Sequence, residues 1–117
     1  MWVYLQNRFV PKRQAMISVF DHGFLYGDGL FETMRAYRGE IFLLSRHLDR
    51  LGKGARRLAL PLPQADLLER RLYETLRRNH LANAILRLTL TRGALDKTTV
   101  VIFPRQNPYK KEWYQTG

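Results

Sequence analysis

The chain has 117 residues, 45% of them hydrophobic, enough for one compact domain with its own core and too few for two. It contains no cysteine, which excludes a disulfide framework and a thiolate metal site and leaves nothing that asks for an oxidising compartment. The formal net charge is +10, yet the doublets Arg56-Arg57, Arg70-Arg71 and Arg77-Arg78 fall at helix-like positions, and aromatic side chains are not interleaved with them as base stacking requires, so no nucleic-acid partner is expected.

Met1 is followed at once by the strand-like Trp2-Val3-Tyr4-Leu5, without the basic and apolar regions of a signal peptide. No apolar run is long enough to cross a bilayer, so a cytoplasmic location and no membrane partner are expected. Residues 2–6 and 9–10 flank Asn7-Arg8, which reads as the turn of a short β-ribbon. Residues 16–19 form a further β-prone run. Two glycine-bearing turns, Asp21-His22-Gly23 and Gly27-Asp28-Gly29, then bracket Phe24-Leu25-Tyr26. Residues 30–37 read as a strand that turns at Arg38-Gly39 and returns over residues 40–44.

Ser45 is placed to cap a helix in which Leu48, Leu51, Ala55 and Leu58 recur at helical spacing, and Pro61 ends that pattern. Gly52 and Gly54 weaken this helix by roughly 1 kcal/mol each, so packing must hold it. A stronger helix is predicted over residues 65–78, with Leu68, Leu72 and Leu76 in one stripe and Asn79 as its stop. Residues 84–92 alternate, Leu86, Leu88 and Leu90 on one face against Arg87, Thr89 and Thr91 on the other, and residues 100–103 form a last strand. Hairpins, two helices, then strands predict an α+β domain with a mostly antiparallel sheet.

Ordinary catalytic motifs are missing. His22, His47 and His80 have no metal-ligand spacing, so no metal is expected; no Gly-Lys-Ser/Thr follows the glycines, and neither Ser18 nor Ser45 sits in a nucleophile elbow. What remains is FDHGFLYGDGLFETMRAY over residues 20–37, then His47-Leu48-Asp49-Arg50-Leu51, the strand Arg87-Leu88-Thr89-Leu90-Thr91-Arg92-Gly93 and the closing Val100-Val101-Ile102-Phe103-Pro104-Arg105. This series resembles the class IV aminotransferases, the fold type IV pyridoxal-phosphate enzymes that include branched-chain and D-amino-acid aminotransferases and 4-amino-4-deoxychorismate lyase.

The resemblance implies the N-terminal domain of the D-amino-acid-aminotransferase-like fold over residues 1–105, with 106–117 starting a linker to a C-terminal domain that this chain lacks. It also implies pyridoxal phosphate as cofactor, a small amino-acid or aminodeoxychorismate substrate, and a homodimer. The positions matching Phe31, Thr33 and Arg35 line the substrate pocket in the family, and strand parity separately puts these three on one face with Tyr37. Phe31 is equally explained as core packing. Arg50 matches the arginine that grips the cofactor phosphate, a role suited to a guanidinium fork; the alternative is an exposed helix arginine. Tyr26 matches a residue that reaches into the neighbouring subunit's pocket.

Arg87 and Arg92 lie on the strand whose counterpart contacts the substrate carboxylate. They project from opposite faces, so at most one meets the pocket, and a sheet-edge charge explains either as well. No catalytic residue is assigned: family enzymes hold the cofactor on a lysine of the C-terminal domain, and Lys12, Lys53, Lys97, Lys110 and Lys111 do not match it, so this polypeptide alone is expected to be inactive. Branched-chain enzymes show Phe-Glu-Gly-Ile-Arg where this chain has Phe31-Glu32-Thr33-Met34-Arg35, and the threonine resembles the lyases and some D-amino-acid enzymes. Two other readings are a stand-alone, non-catalytic interaction module of the same fold and a basic binding module with a vestigial pocket.

Overall fold

A computed structural model describes residues 1–94 and 97–105 of the chain. Strand β1 (Trp2–Leu5) and strand β2 (Arg8–Pro11) form the opening hairpin in the register Leu5 with Arg8. Its turn is Gln6-Asn7 rather than Asn7-Arg8, with φ of 47° and 72°. Two successive positive φ values give the turn whose twist matches that of the flanking strands.

A 3-10 turn over Lys12–Gln14 follows, and residues 16–19 are not a strand. Met16, Ile17 and Val19 find no partner strand and stay 74%, 47% and 62% exposed, so β-propensity alone does not build a strand there. The bracketed tripeptide lies in a third helix that the sequence pattern does not announce, α1 (His22–Tyr26). The Asp21 side chain caps it by accepting from the Gly23 N–H at 2.7 Å, and Gly27 ends it at φ 66°.

Strand β3 (Gly29–Tyr37) pairs over eight residues with β5 (Ala84–Thr91), which pairs with β6 (Thr99–Arg105), which pairs with β1. Every pairing is antiparallel, and the strand order is β2-β1-β6-β5-β3-β4. Strand β4 is only Glu40–Ile41, opposite Tyr37 and Ala36; Phe42 keeps one hydrogen bond to β3 before Leu43 adopts φ 56° and the chain enters the next helix. Among the described residues, no strand pairs with the rest of that edge of β3.

Helix α2 (Leu44–Arg57) begins one residue before Ser45, so Ser45 lies inside its first turn and no side chain caps it. Leu51 and Ala55 are buried as the periodicity predicts, but Leu58 falls beyond the helix end, 38% exposed, and Leu60 takes the buried position. Gly54 earns its place in mid-helix: a Cβ there would lie 3.0 Å from Leu30 Cδ1, so its absence lets α2 approach β3. Helix α3 (Ala65–Arg78) has the predicted bounds, and its Leu68, Leu72 and Leu76 join Tyr4, Met34, Ala36, Leu86, Leu88, Leu90 and Ile102 in one core. Both long helices thus cover a single face of the sheet.

Asn79 ends α3 and also fastens it to β1. Its amide nitrogen donates to the carbonyls of Trp2 at 2.9 Å and Thr75 at 2.8 Å, while its Oδ1 accepts the Trp2 N–H at 2.7 Å. An amide side chain here does the work of a neighbouring strand. Asn79→Ala is expected to lower stability by about 1–2 kcal/mol, seen as a fall in the urea midpoint without a change of slope.

Candidate functional site

Alternation along β3 divides its side chains between two environments. Glu32, Met34 and Ala36 are buried toward the helices, while Phe31, Thr33, Arg35 and Tyr37 are exposed on the open face, as the parity of the sequence predicts. Register places Arg87 of β5 directly opposite Thr33, and its guanidinium carbon lies 4.0 Å from the centroid of the Phe31 ring. Phe31, at 56% exposure, is not a core residue. Four of the candidate residues, Phe31, Thr33, Arg35 and Arg87, therefore gather on one face.

That face carries guanidinium groups, and the carboxylate that Thr91 and Thr99 hold there, Asp21, is buried beneath α1 and already fully hydrogen-bonded. Asp28 is paired with Arg92, Glu32 and Glu40 contact side chains of α2 and α3, and the remaining acidic groups of the described residues lie on those helices. Arg92 does not belong to the group. Its Nε donates to Asp28, and its Nη2 donates to the Leu58 carbonyl at 2.6 Å, so it ties the start of β3 to the end of α2.

Arg50 lies on the other side of β3. Its Nε donates to Glu32 Oε2 at 2.9 Å and its Nη2 to Glu32 Oε1 at 2.7 Å, while its side chain remains 71% exposed. His47, one helical turn earlier, meets Glu32 Oε1 through Nδ1 at 2.7 Å. Burial pushes the Glu32 carboxyl up, but the hydrogen bonds and charges of Arg50 and His47 outweigh it and hold the group below the usual carboxylate range. Glu32 is ionised, so Nδ1 of His47 carries the proton it donates. Glu32 and His47 both stand in the motifs that identify the site, but reading those motifs as sequence assigns no role to either.

Between these two sets of side chains runs the edge of β3 beyond β4, with which no strand pairs among the described residues. The Arg35 carbonyl accepts the Phe42 N–H at 2.8 Å on the β4 side. Since backbone groups alternate in direction along a strand, the N–H and C=O of Thr33 and Phe31 point to the same edge, where β4 no longer runs.

Tyr26 is 72% exposed on α1, its ring edge-on to His22 at 5.1 Å between centroids, with Phe24 and Leu25 exposed beside it. The turn that presents them is held from beneath by Asp21, whose Oδ2 accepts the Thr99 hydroxyl at 2.8 Å and the Thr91 hydroxyl at 3.0 Å. Lys12 lies in the 3-10 turn and Lys53 is exposed on α2, whereas Lys110, Lys111 and the predicted linker lie outside the described residues. Among the described residues there is no cluster of three or more metal-ligating side chains and no helix long and apolar enough to cross a membrane.

Comparison with known proteins gives these features a setting. The model of the amino-transferase class IV family matches residues 29–116. The chain is 48% identical over 98 residues to a putative branched-chain-amino-acid aminotransferase of Methanocaldococcus jannaschii, covering 82% of this chain and 34% of that protein. It is 35% identical over 128 residues to the aminodeoxychorismate lyase of Bacillus subtilis, covering 94% of this chain and 43% of the lyase. Its structure matches that of a hypothetical aminotransferase from Mycobacterium tuberculosis in its PLP-bound form, with a TM-score of 0.84 and 25% identity, over 92% of this chain and 40% of that one. The chain spans less than half the length of each of these proteins.

Proposed function

The chain belongs to the class IV aminotransferase family, and from that premise we propose that it forms the phosphate-binding side and one wall of the substrate pocket in a pyridoxal-phosphate enzyme. Arg50 is the cofactor-phosphate cation, Phe31, Thr33, Arg35 and Arg87 face the substrate, and a second copy of the chain approaches at Tyr26. The observation that carries this reading is the placement of Arg50 on one side of β3 and of Thr33 and Arg87 on the other, along an edge with which no strand pairs among the described residues. The lysine that holds the cofactor is assigned to a further domain outside these 117 residues.

The donor set fits the group: an exposed guanidinium, hydrogen-bonded to Glu32, suits a phosphate dianion. When bound, pyridoxal phosphate supplies an electron-withdrawing ring that stabilises the charge left as a bond at the substrate Cα breaks. This chain's residues bind and orient. Arg87 and Arg35 attract substrate carboxylates, the Phe31 ring holds the Arg87 guanidinium over the face, and the Thr33 hydroxyl lies beside the reacting end. Two guanidinium groups on paired strands of the same face favour a substrate with two acidic groups, and with Thr33 this supports 4-amino-4-deoxychorismate cleavage as the reaction. Transamination of branched-chain or D-amino acids is the second reading, supported by the 48% identity to the putative branched-chain enzyme.

The test compares Arg50→Ala with Thr33→Gly in a version of the protein that includes the cofactor-bearing domain. Arg50→Ala is expected to weaken cofactor affinity roughly 10- to 100-fold with every substrate. Thr33→Gly is expected to leave cofactor retention nearly intact and shift the ratio of aminodeoxychorismate cleavage to transamination of aliphatic amino acids. Cofactor titration and the two activity assays read these effects. Wild-type affinity in Arg50→Ala, or equal cofactor loss in both variants, sinks the assignment.

A further inference from the structure

We infer that Glu32 is a positioning residue of the phosphate subsite, clamping one edge of Arg50 so that the other edge meets the phosphate. This rests on Arg50 being the phosphate cation. A guanidinium presents its N–H groups in a rigid fork with two kinds of edge on which an oxyanion can sit bidentately, Nε with one Nη or the two Nη together. Glu32 occupies the edge formed by Nε and Nη2, at 2.9 and 2.7 Å. That leaves the edge formed by the two Nη atoms for a second oxyanion, on a side chain that is 71% exposed and whose Nη2 also lies 3.4 Å from His47 Nδ1.

The clamp is firm where the arginine is not. Glu32 is 6% exposed, fixed in the middle of β3, and the His47 Nδ1 contact at 2.7 Å holds its carboxylate in one orientation. Arg50 by itself is a long side chain on a helix surface, free to sample many rotamers. Glu32 also stands between Phe31 and Thr33 in sequence and points to the opposite side of the strand. It therefore sets the height of the phosphate subsite against the two residues that face the substrate.

The electrostatic alternative predicts the opposite sign. A carboxylate beside a phosphate dianion repels it, so if Glu32 did no more than neutralise Arg50, its removal would strengthen phosphate binding. If Glu32 positions Arg50, its removal weakens binding, because an unanchored guanidinium must be ordered by the ligand.

The experiment titrates inorganic phosphate into the 117-residue chain and follows the arginine Nε–H resonances by NMR. In the wild type the Arg50 Nε–H is expected to be protected from exchange and to shift to saturation. Glu32→Gln should lose that protection and raise the phosphate Kd about tenfold, Glu32→Asp should fall between, and Glu32→Gln should have no further effect once Arg50→Ala is present. His47→Leu, which removes the contacts of Nδ1 to Glu32 at 2.7 Å and to Arg50 Nη2 at 3.4 Å but keeps the Glu32–Arg50 pair and guards against misfolding of the Glu32 variants, should weaken binding a few-fold. Unchanged or tighter binding in Glu32→Gln, or in His47→Leu should the Glu32 variants not fold, overturns the positioning role while Arg50 keeps its own. Wild-type phosphate affinity in Arg50→Ala instead overturns the phosphate reading on which the inference rests.

Discussion

Asp21→Ala is expected to lower the stability of the chain by roughly 3–5 kcal/mol, measured by urea unfolding. Asp21 is 1% exposed and forms no salt bridge among the described residues, yet its carboxylate is fully engaged. Oδ1 caps α1 through the Gly23 N–H, and Oδ2 accepts from Thr91 of β5 and Thr99 of β6. Losing the cap alone costs about 1 kcal/mol, and two buried hydroxyls left without their acceptor add about 1–2 kcal/mol each. Space is tight as well: a Cβ on Gly23 would collide with Thr91 Cγ2, so the turn has no other way to pack.

The same group makes stability depend on pH. Burial pushes the Asp21 carboxyl up, but the hydrogen bonds from Thr99, Thr91 and the backbone of Gly23 and Phe24 outweigh it, so the folded state holds the group below its ordinary value. A depressed carboxyl stabilises the fold above the unfolded pKa, and that contribution is lost as pH falls through the folded one. Glu32 acts in the same direction. Wild-type stability should therefore decline below about pH 4, and the decline should be shallower in Asp21→Asn, which starts lower but has no charge to lose.

These anchors show which parts of the molecule a sequence can disclose. The faces of β3 and β5 and the bounds of α3 are local matters, settled by periods of two and 3.6 that any window of eight residues displays. Helix α1 escapes because five residues carry no period, although Asp21 two residues before Gly23 is the mark of its cap. Residues 16–19 mislead for the converse reason, since their β-propensity is real and their exposure depends on what lies beside them in space.

The site divides along the same line. Phe31, Thr33 and Arg35 could be placed by parity, and Arg50 by its motif. The pairing of Arg50 with Glu32 spans 18 residues, and those of Asp21 with Thr91 and Thr99 span 70 and 78, distances at which no spacing rule operates. Arg87 and Arg92 could not be separated until Asp28 and the Leu58 carbonyl were seen to engage the second and the Phe31 ring the first.

Leu88→Ala and Thr89→Ala, adjacent on β5, are expected to differ by several kcal/mol, and the contrast tests the division of the sheet into a structural and a working face. Leu88 is 0% exposed at the centre of the sheet, opposite Glu32 on one side and Ile102 on the other, within the layer covered by α2 and α3. Truncating it removes the burial of its methyl groups and leaves a cavity that close-packed neighbours on two strands and two helices cannot fill, at a cost of about 3–5 kcal/mol. Thr89 is half-buried on the open face, opposite Phe31 and Val101, so its loss should cost under about 1 kcal/mol. Denaturant midpoints of the two variants read the difference. Equal losses would mean that something covers the open face in solution as tightly as the helices cover the other, and the face assigned to the substrate would then not be free to receive one.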